Sequence, residues 1–215
     1  MTPAAAEIEP PRGQSRTRMS EAERSRVLRE AAEAVFLRQG YAATNMDEVA
    51  RQAGMSKRTL YQHYPSKSAL FEAVMRDCLE PLTLPAADGQ DLRASLCTLL
   101  ETATRHLLAP RQMAIFRIVI SEAHRAPELA DAFHCAGPGH GANAMQRRLQ
   151  VEIDAGRLKL DDAHAAAKLL YGMVLGPRHM MVMLGLQAEP DEAELAMLVR
   201  RAVDVFMDGA LIRAG

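Results

Sequence analysis

TNMDEVARQAGMSKRTLYQHYPSK, residues 44–67, holds two short helical patterns separated by a tight turn. In the first, Met46 to Ala53, the residues Met46, Val49, Ala50 and Ala53 recur at spacings of three and four and share one face. Asn45 is a natural N-cap, and Glu48, three residues on, can reach back to complete a capping box. Gly54 ends this helix, because it tolerates the left-handed backbone needed there. Ser56 caps the second helix, Lys57 to Tyr64, and Pro65 stops it. Two helices joined by a short, Gly-containing turn form a helix-turn-helix, whose second helix can lie in a DNA major groove.

The second helix has two unlike faces. Leu60 and Tyr64 are four apart and point inward, with Met55 behind the turn. Lys57, Arg58, Tyr61 and Gln62 point outward, flanked by Thr59 and His63. That outer face is cationic, carries hydrogen-bonding and aromatic groups, and has no acid. Such a face suits contact with phosphates and base edges. The plainer reading is a solvated basic helix in an ordinary bundle.

The flanks favour the DNA reading. Before the turn, Ser20 and Glu23 make an S-x-x-E capping box. Val27, Ala31, Ala34, Val35 and Leu37 follow as an apolar stripe, and Gly40 ends that helix. After the turn, Ser66 caps a helix in which Leu70, Phe71 and Val74 face inward. The order is long, short, short, long. With Ala31–Ala32, Phe36, Gly40–Tyr41, Thr44, Val49–Ala50, Ala53–Gly54, Ser56, Thr59–Leu60–Tyr61, His63–Tyr64, Lys67 and Leu70, this stretch resembles the DNA-binding domain of TetR-family transcriptional regulators. The resemblance runs over residues 24–75. It implies DNA contact through Thr44, Lys57, Arg58, Thr59, Tyr61, Gln62, His63 and Lys67. Tyr61 and His63 match residues that brace the helix against phosphates. Lys57, Arg58 and Gln62 depart from the best-known members and are expected to select bases. Thr44 and Lys67 are expected to hold the DNA backbone from either side.

Composition agrees with two jobs in one chain. The 215 residues carry a net charge of only −1. Residues 11–67, however, hold 11 Lys or Arg against 6 acids, whereas residues 68–215 hold 15 against 19. A basic module on an acidic body is the electrostatic footprint of local DNA contact. The three cysteines, Cys78, Cys97 and Cys135, are odd in number and widely spaced, which fits a reducing cytoplasm better than a disulfide framework. There is no apolar run of about 18 residues and no signal-peptide core. Residues 1–19 read as a disordered arm whose Arg12, Arg16 and Arg18 can track DNA.

The remainder is patterned as helix throughout, which predicts an all-α fold. Residues 20–66 form the helix-turn-helix domain and 67–215 an effector-binding and dimerisation domain. Residues 81–89 are a connector, and GPGHG, residues 137–141, is a loop. Helices are expected at 91–108, 111–124, 128–135, 142–155, 161–186 and 191–211. The fifth of these is interrupted at Gly176–Pro177, where Pro177 cannot donate to the carbonyl of Met173. That freed carbonyl marks a place for a cavity; the other reading is that the interruption only shapes the dimer surface. Residues 116–145 and 156–176 resemble the C-terminal domain of AefR-like repressors, which implies a small effector and a dimer built from the last two helices. Leu169, Gly172, Met173, Gly176, Met183, Leu198 and Val205 are the candidate dimer residues. Thirteen Met, nine Phe or Tyr and no Trp favour an adaptable apolar pocket, with His106, Met113, Phe116, Tyr171 and Met180 as candidate lining.

Two other readings compete. One is a DNA-binding adaptor with no effector. The other is a Cys/His metal-dependent enzyme using His124, Asp131, His134, Cys135 and His140. The enzyme reading lacks a C-x-x-C pair and an H-E-x-x-H helix. The preferred reading names no catalytic residue, metal or cofactor. It is a cytoplasmic homodimeric repressor of a palindromic operator, released by a lipophilic or amphipathic small molecule.

Overall fold

The computed structural model describes residues 19–79, 91–136 and 144–210. The expected arm, the 81–89 connector and the GPGHG loop lie outside them. The described residues form ten helices: α1 (Glu21–Gln39), α2 (Met46–Gln52), α3 (Lys57–His63), α4 (Lys67–Leu79), α5 (Leu92–Leu108), α6 (Pro110–Glu122), α7 (Pro127–Ala136), α8 (Ala144–Asp154), α9 (Ala163–Met183) and α10 (Glu192–Ala210). No strand occurs among the described residues.

Local chemistry sets the helix ends. Ser20 Oγ accepts from Glu23 N–H, and Glu23 Oε2 accepts from Ser20 N–H, so the expected capping box closes α1. Asn45, Ser56, Asp91 and Asp162 cap α2, α3, α5 and α9 with side-chain oxygens. Gly54 has φ +64°, the left-handed turn that separates α2 from α3. Glu48 does not reach back to Asn45. Its carboxylate accepts instead from Arg38 (2.5 Å) and Gln39 (3.0 Å) of α1, because a cationic partner outcompetes an exposed N–H.

The inward stripe of α1 differs from the expected one. Leu28, Ala31, Ala32, Val35 and Phe36 are buried, while Ala34 and Leu37 are exposed and Val27 is half-buried. The helix presents its larger side chains, Leu28 and Phe36, to the core. Another difference lies in α9, which runs unbroken through Pro177. One missing donor is a local loss, and Val174 and Val182 stay buried on either side of it.

Two cores divide the chain. The first joins α1–α4 to Ile115 and Val119 of α6 and to Leu129, Ala132 and Ala136 of α7. The second gathers α5, α8, α9 and α10 around Leu100, Leu149, Leu170 and Val199. Leu108, Met113 and Val182 form a small cluster of their own. The expected boundary after residue 66 therefore falls at the start of α4, a helix whose Leu70, Phe71 and Val74 are in the first core.

One ion cluster pins α8. Glu152 is buried and accepts from both Arg148 and Arg157, which holds its carboxyl down at about 2 against an ordinary 4.5. A lowered folded-state pKa stabilises the fold above the unfolded value and loses that effect as pH falls through the folded one. Glu152→Gln should therefore cost about 2 kcal/mol near neutral pH. In thermal melts, its difference from the parent chain should shrink between pH 4.5 and about 2.

Candidate functional site

α3 is held from inside and open outside. Leu60 is fully buried and Tyr64 nearly so. The Tyr64 hydroxyl lies 2.7 Å from Ser25 Oγ and accepts from Arg29 at 3.2 Å. Arg29 also pairs with Asp77 of α4. A ring and a polar knot thus fix α3 against α1 and α4. Ser56 Oγ accepts from Thr59 N–H at 3.0 Å and lies 2.8 Å from Thr59 Oγ1, so the Thr59 hydroxyl is engaged at the cap.

Lys57, Arg58, Tyr61 and Gln62 are exposed side by side, and Thr59 and His63 are half-buried at the flanks. Lys57 Nζ sits 2.7 Å from Asp47 Oδ1 and 5.9 Å from the centre of the Tyr61 ring. The hydrogen bond to Asp47 raises the Lys57 pKa. The pair is exposed, so a phosphate can displace Asp47 at little cost. Arg58 makes no ion pair among the described residues. It is the guanidinium left available on this face, with the planar fork that matches guanine O6 and N7.

Thr44 and Lys67 are placed differently from the other candidates. Thr44 is buried, and its hydroxyl donates to the Gly40 carbonyl at 2.6 Å. Lys67 Nζ donates to the carbonyls of Tyr41 (2.8 Å), Ala42 (3.2 Å) and Thr44 (3.1 Å) and lies 4.4 Å from the centre of the Tyr41 ring. An ammonium has three protons, and the loop takes all three. These two side chains frame the loop between α1 and α2. The sequence pattern identified them without showing where the ammonium goes.

A cavity of about 320 Å³ lies where the two cores meet. Its apolar wall is Met75, Cys78 and Leu79 of α4, Leu107, Phe116, Phe133 and Leu175. Gln112, Tyr171 and His179 supply polar groups, and Gly172 and Gly176 open one side. The Phe116 ring contacts His179 edge-on, with centroids 4.6 Å apart. Burial lowers the His179 pKa, which favours the neutral imidazole. Burial also pushes the Tyr171 phenol up to about 12 and the Cys78 thiol up to about 11. Among the described residues, no Lys, Arg, Asp or Glu lines the cavity.

Phe116 and Tyr171 are the sequence candidates that this cavity brings together. His106 stands behind the wall, where Nε2 donates to the Cys78 carbonyl at 2.5 Å and lies 3.2 Å from the Gln112 amide. Met113 is fully buried against Leu108 and Val182, and Met180 is 51% exposed. Neither lines the cavity. Gln112 and His179 were missed. Their signal lies in the helical spacing of 112/116 and 171/175/179, which places them on the faces of Phe116 and Tyr171.

A family model for bacterial regulatory proteins of the tetR family matches residues 28–74. A model for the C-terminal domain of AefR-like transcriptional repressors matches residues 94–209. The chain belongs to the TetR family of transcriptional regulators. It is similar to the solved structure of the flavonoid-responsive regulator FrrA, at 30% identity over 90% of this chain and 100% of that one, with a TM-score of 0.72. A TetR transcriptional regulator from Agrobacterium tumefaciens shares the fold, at 21% identity, 91% and 97% coverage and a TM-score of 0.74. The HTH-type transcriptional activator FasR of Mycolicibacterium smegmatis is 48% identical over 59 residues, 27% of each chain. An uncharacterized HTH-type transcriptional regulator of Mycobacterium tuberculosis is 30% identical over 119 residues, 55% of this chain and 57% of its own.

This TetR-family chain also exposes apolar side chains along α9 and α10. Leu169 (64%), Met173 (43%) and Met180 (51%) line α9, and Met197 (63%) and Val205 (59%) line α10. Among the dimer candidates, Leu169, Met173 and Val205 are on this surface, and Leu198 is half-buried. Met183 turns inward onto the Leu108–Met113–Val182 cluster. Gly172 borders both the cavity and the groove beside Leu169 and Met173, whereas Gly176 borders the cavity. Met197 was missed because residues 195–199 are apolar at every position, so periodicity there does not single out the outward side chain. Among the described residues no group of three or more His, Cys, Asp or Glu can hold a metal, and Cys135 is exposed. His140 lies outside the described residues. No described helix is long and apolar enough to cross a membrane.

The placement of Lys67 changes what its removal should do. Lys67→Met should lower stability by about 1–3 kcal/mol through the three orphaned carbonyls. The salt dependence of DNA binding should stay put, whereas loss of a phosphate contact would reduce its slope by about one. Melts and salt titrations on a selected duplex separate the two.

Proposed function

We propose that the chain is a ligand-responsive repressor that binds a two-fold symmetric operator as a homodimer. The observation that carries this reading is the exposed Lys57–Arg58–Tyr61–Gln62 face of α3, fixed from behind by Leu60 and Tyr64. In the complex, α3 enters the major groove. Arg58 and Gln62 read base edges, while Tyr61, His63 and Thr59 meet the backbone.

The dimer is formed by α9 and α10. Leu169, Met173, Met180, Met197 and Val205 expose large apolar side chains along these two helices, as interaction surfaces do. Two copies related by a two-fold axis present two α3 helices to successive major grooves.

The effector occupies the cavity between α4, α6 and α9. A cavity whose described wall carries no charge penalises a charged ligand by its lost hydration. Gln112, Tyr171 and the neutral His179 favour an uncharged or phenolic molecule with an apolar body. The similar structure FrrA is named for its response to flavonoids, and molecules of that kind suit this wall. Met75, Cys78 and Leu79 belong to α4, the helix that follows α3, so ligand size is transmitted to the DNA face. Repression rather than activation follows from the AefR-like domain, although the similar FasR is named an activator. The adaptor reading is less well supported, because a cavity is present.

Selection from random duplexes should enrich a palindromic motif, and Arg58→Ala should alter it at a cost of about 1–3 kcal/mol. Failure to enrich any sequence would refute the DNA reading. Leu169→Glu should shift the protein to monomer in light scattering and weaken the operator without lowering the melting temperature much. A thermal-shift screen of uncharged phenols, flavonoids included, should yield a ligand whose affinity falls with operator by the factor with which it weakens operator binding.

A further inference from the structure

Glu122 ends α6 beside the loop that leads from α1 into α2. Its Oε1 accepts from the Tyr41 N–H at 3.0 Å, and its Oε2 accepts from the Ala42 N–H at 2.6 Å. These are the two N–H groups that follow Gly40, where α1 has already ended. Lys67 holds the carbonyls of the same residues from the α4 side. The loop thus lies between a carboxylate that takes its donors and an ammonium that takes its acceptors. The fit leaves no slack, since a Cβ on Gly40 would stand 2.4 Å from Glu122 Oε1. Three residues later Asn45 caps α2, so the loop sets where α2 starts and α3 follows.

The same helix reaches the cavity. Gln112 and Phe116 line it. Glu122 is six residues past Phe116, about 9 Å along the axis. α6 is braced elsewhere too. Arg111 makes a bidentate pair with Glu33 of α1 (2.5 and 2.6 Å), and Arg117 donates to the Val182 and Met183 carbonyls at the end of α9 (3.2 and 3.1 Å). Thirteen residues thereby touch the cavity, the helix proposed for the dimer and the DNA module.

We propose that Glu122 is the positioning residue that couples α6 to the DNA module, so that an occupant of the cavity displaces the 40–45 loop through this carboxylate. The inference rests on the ligand-responsive reading above. α4 offers a path through the chain itself, and Glu122 adds a second path that the chain does not impose. Hydrogen bonds of this length weaken steeply within about 0.5 Å. A displacement of α6 on that scale therefore either drags the loop or releases it. Only a carboxylate serves both N–H groups, because an amide turns its NH₂ toward one of them.

The test needs no identified ligand. Gly176 lines the cavity, and a Cβ there meets nothing within 4 Å, so Gly176→Phe supplies a built-in occupant. Full-length protein is compared with Glu122→Gln, Gly176→Phe and the double variant on a selected duplex, with light scattering to keep to dimeric samples. Glu122→Gln should speed amide exchange at Tyr41 and Ala42 about ten-fold and weaken the duplex about ten-fold, the loss of one charge-assisted hydrogen bond. Exchange in α8 and α10 should not change. Gly176→Phe should weaken the duplex in the parent chain but add about two-fold at most to Glu122→Gln, because coupled sites are not additive. Glu122→Asp keeps the charge but is too short to span both groups. It should show the same pattern at about three-fold, and covers the case in which Glu122→Gln folds poorly. Equal effects of Gly176→Phe in both backgrounds overturn the proposal and leave ligand response standing. Unchanged exchange at Tyr41 and Ala42 overturns it as well. No enriched duplex at all removes the DNA reading and the proposal with it.

Discussion

Three rings, Phe36, Tyr41 and Phe71, meet at the centre of the DNA module. Phe36 and Tyr41 are 5.8 Å apart between centroids, Phe36 and Phe71 5.3 Å, and Tyr41 and Phe71 5.4 Å. Each such contact contributes about 0.5–1.5 kcal/mol beyond simple burial. More important is what they connect: the end of α1, the loop after it and the start of α4. α2 and α3 are seven residues each, too short to persist alone. They hold their place because Val49, Ala50, Leu60 and Tyr64 join the core built on those rings. The exposed face of α3 is therefore a property of the aromatic centre as much as of the helix that displays it.

Polar groups finish what the rings begin. Glu122 and Lys67 satisfy the backbone of a loop that has no regular partner, in keeping with the rule that buried or half-buried N–H and C=O groups are paired. Arg29 ties Tyr64 to Asp77, and Arg38 with Gln39 ties Glu48 to α1. Among the described residues of the module, most cations have a partner within the chain, and Arg58 stands out as the available one.

The cavity shows the opposite chemistry. It lies between two cores, and its described wall is Met, Cys, Leu and Phe side chains with three neutral polar groups. Walls drawn from α4, α6 and α9 belong to elements that have other duties at their far ends. A change of volume at the seam is therefore felt beyond it, since packed interiors shift as units.

Helix content, the order of the first four helices, their N-caps and the outward face of α3 were legible in the sequence. Caps depend on one side chain and its neighbour three residues on, as at Ser20 and Glu23, and faces follow from a period of 3.6. The resemblance of residues 24–75 to known regulators rests on the same local pattern. What tertiary structure decided involves partners distant in the chain. Lys67 meets carbonyls 23 to 26 residues away, and Glu122 meets N–H groups 80 and 81 residues away. Met113 and Met180, alike in composition, part company because one helix turn faces a core and the other faces out. Periodicity specifies that a helix has an inside. Which neighbour it meets there, and whether a polar side chain on that side ends in water, in a cavity or on another residue's backbone, is set only when the helices pack.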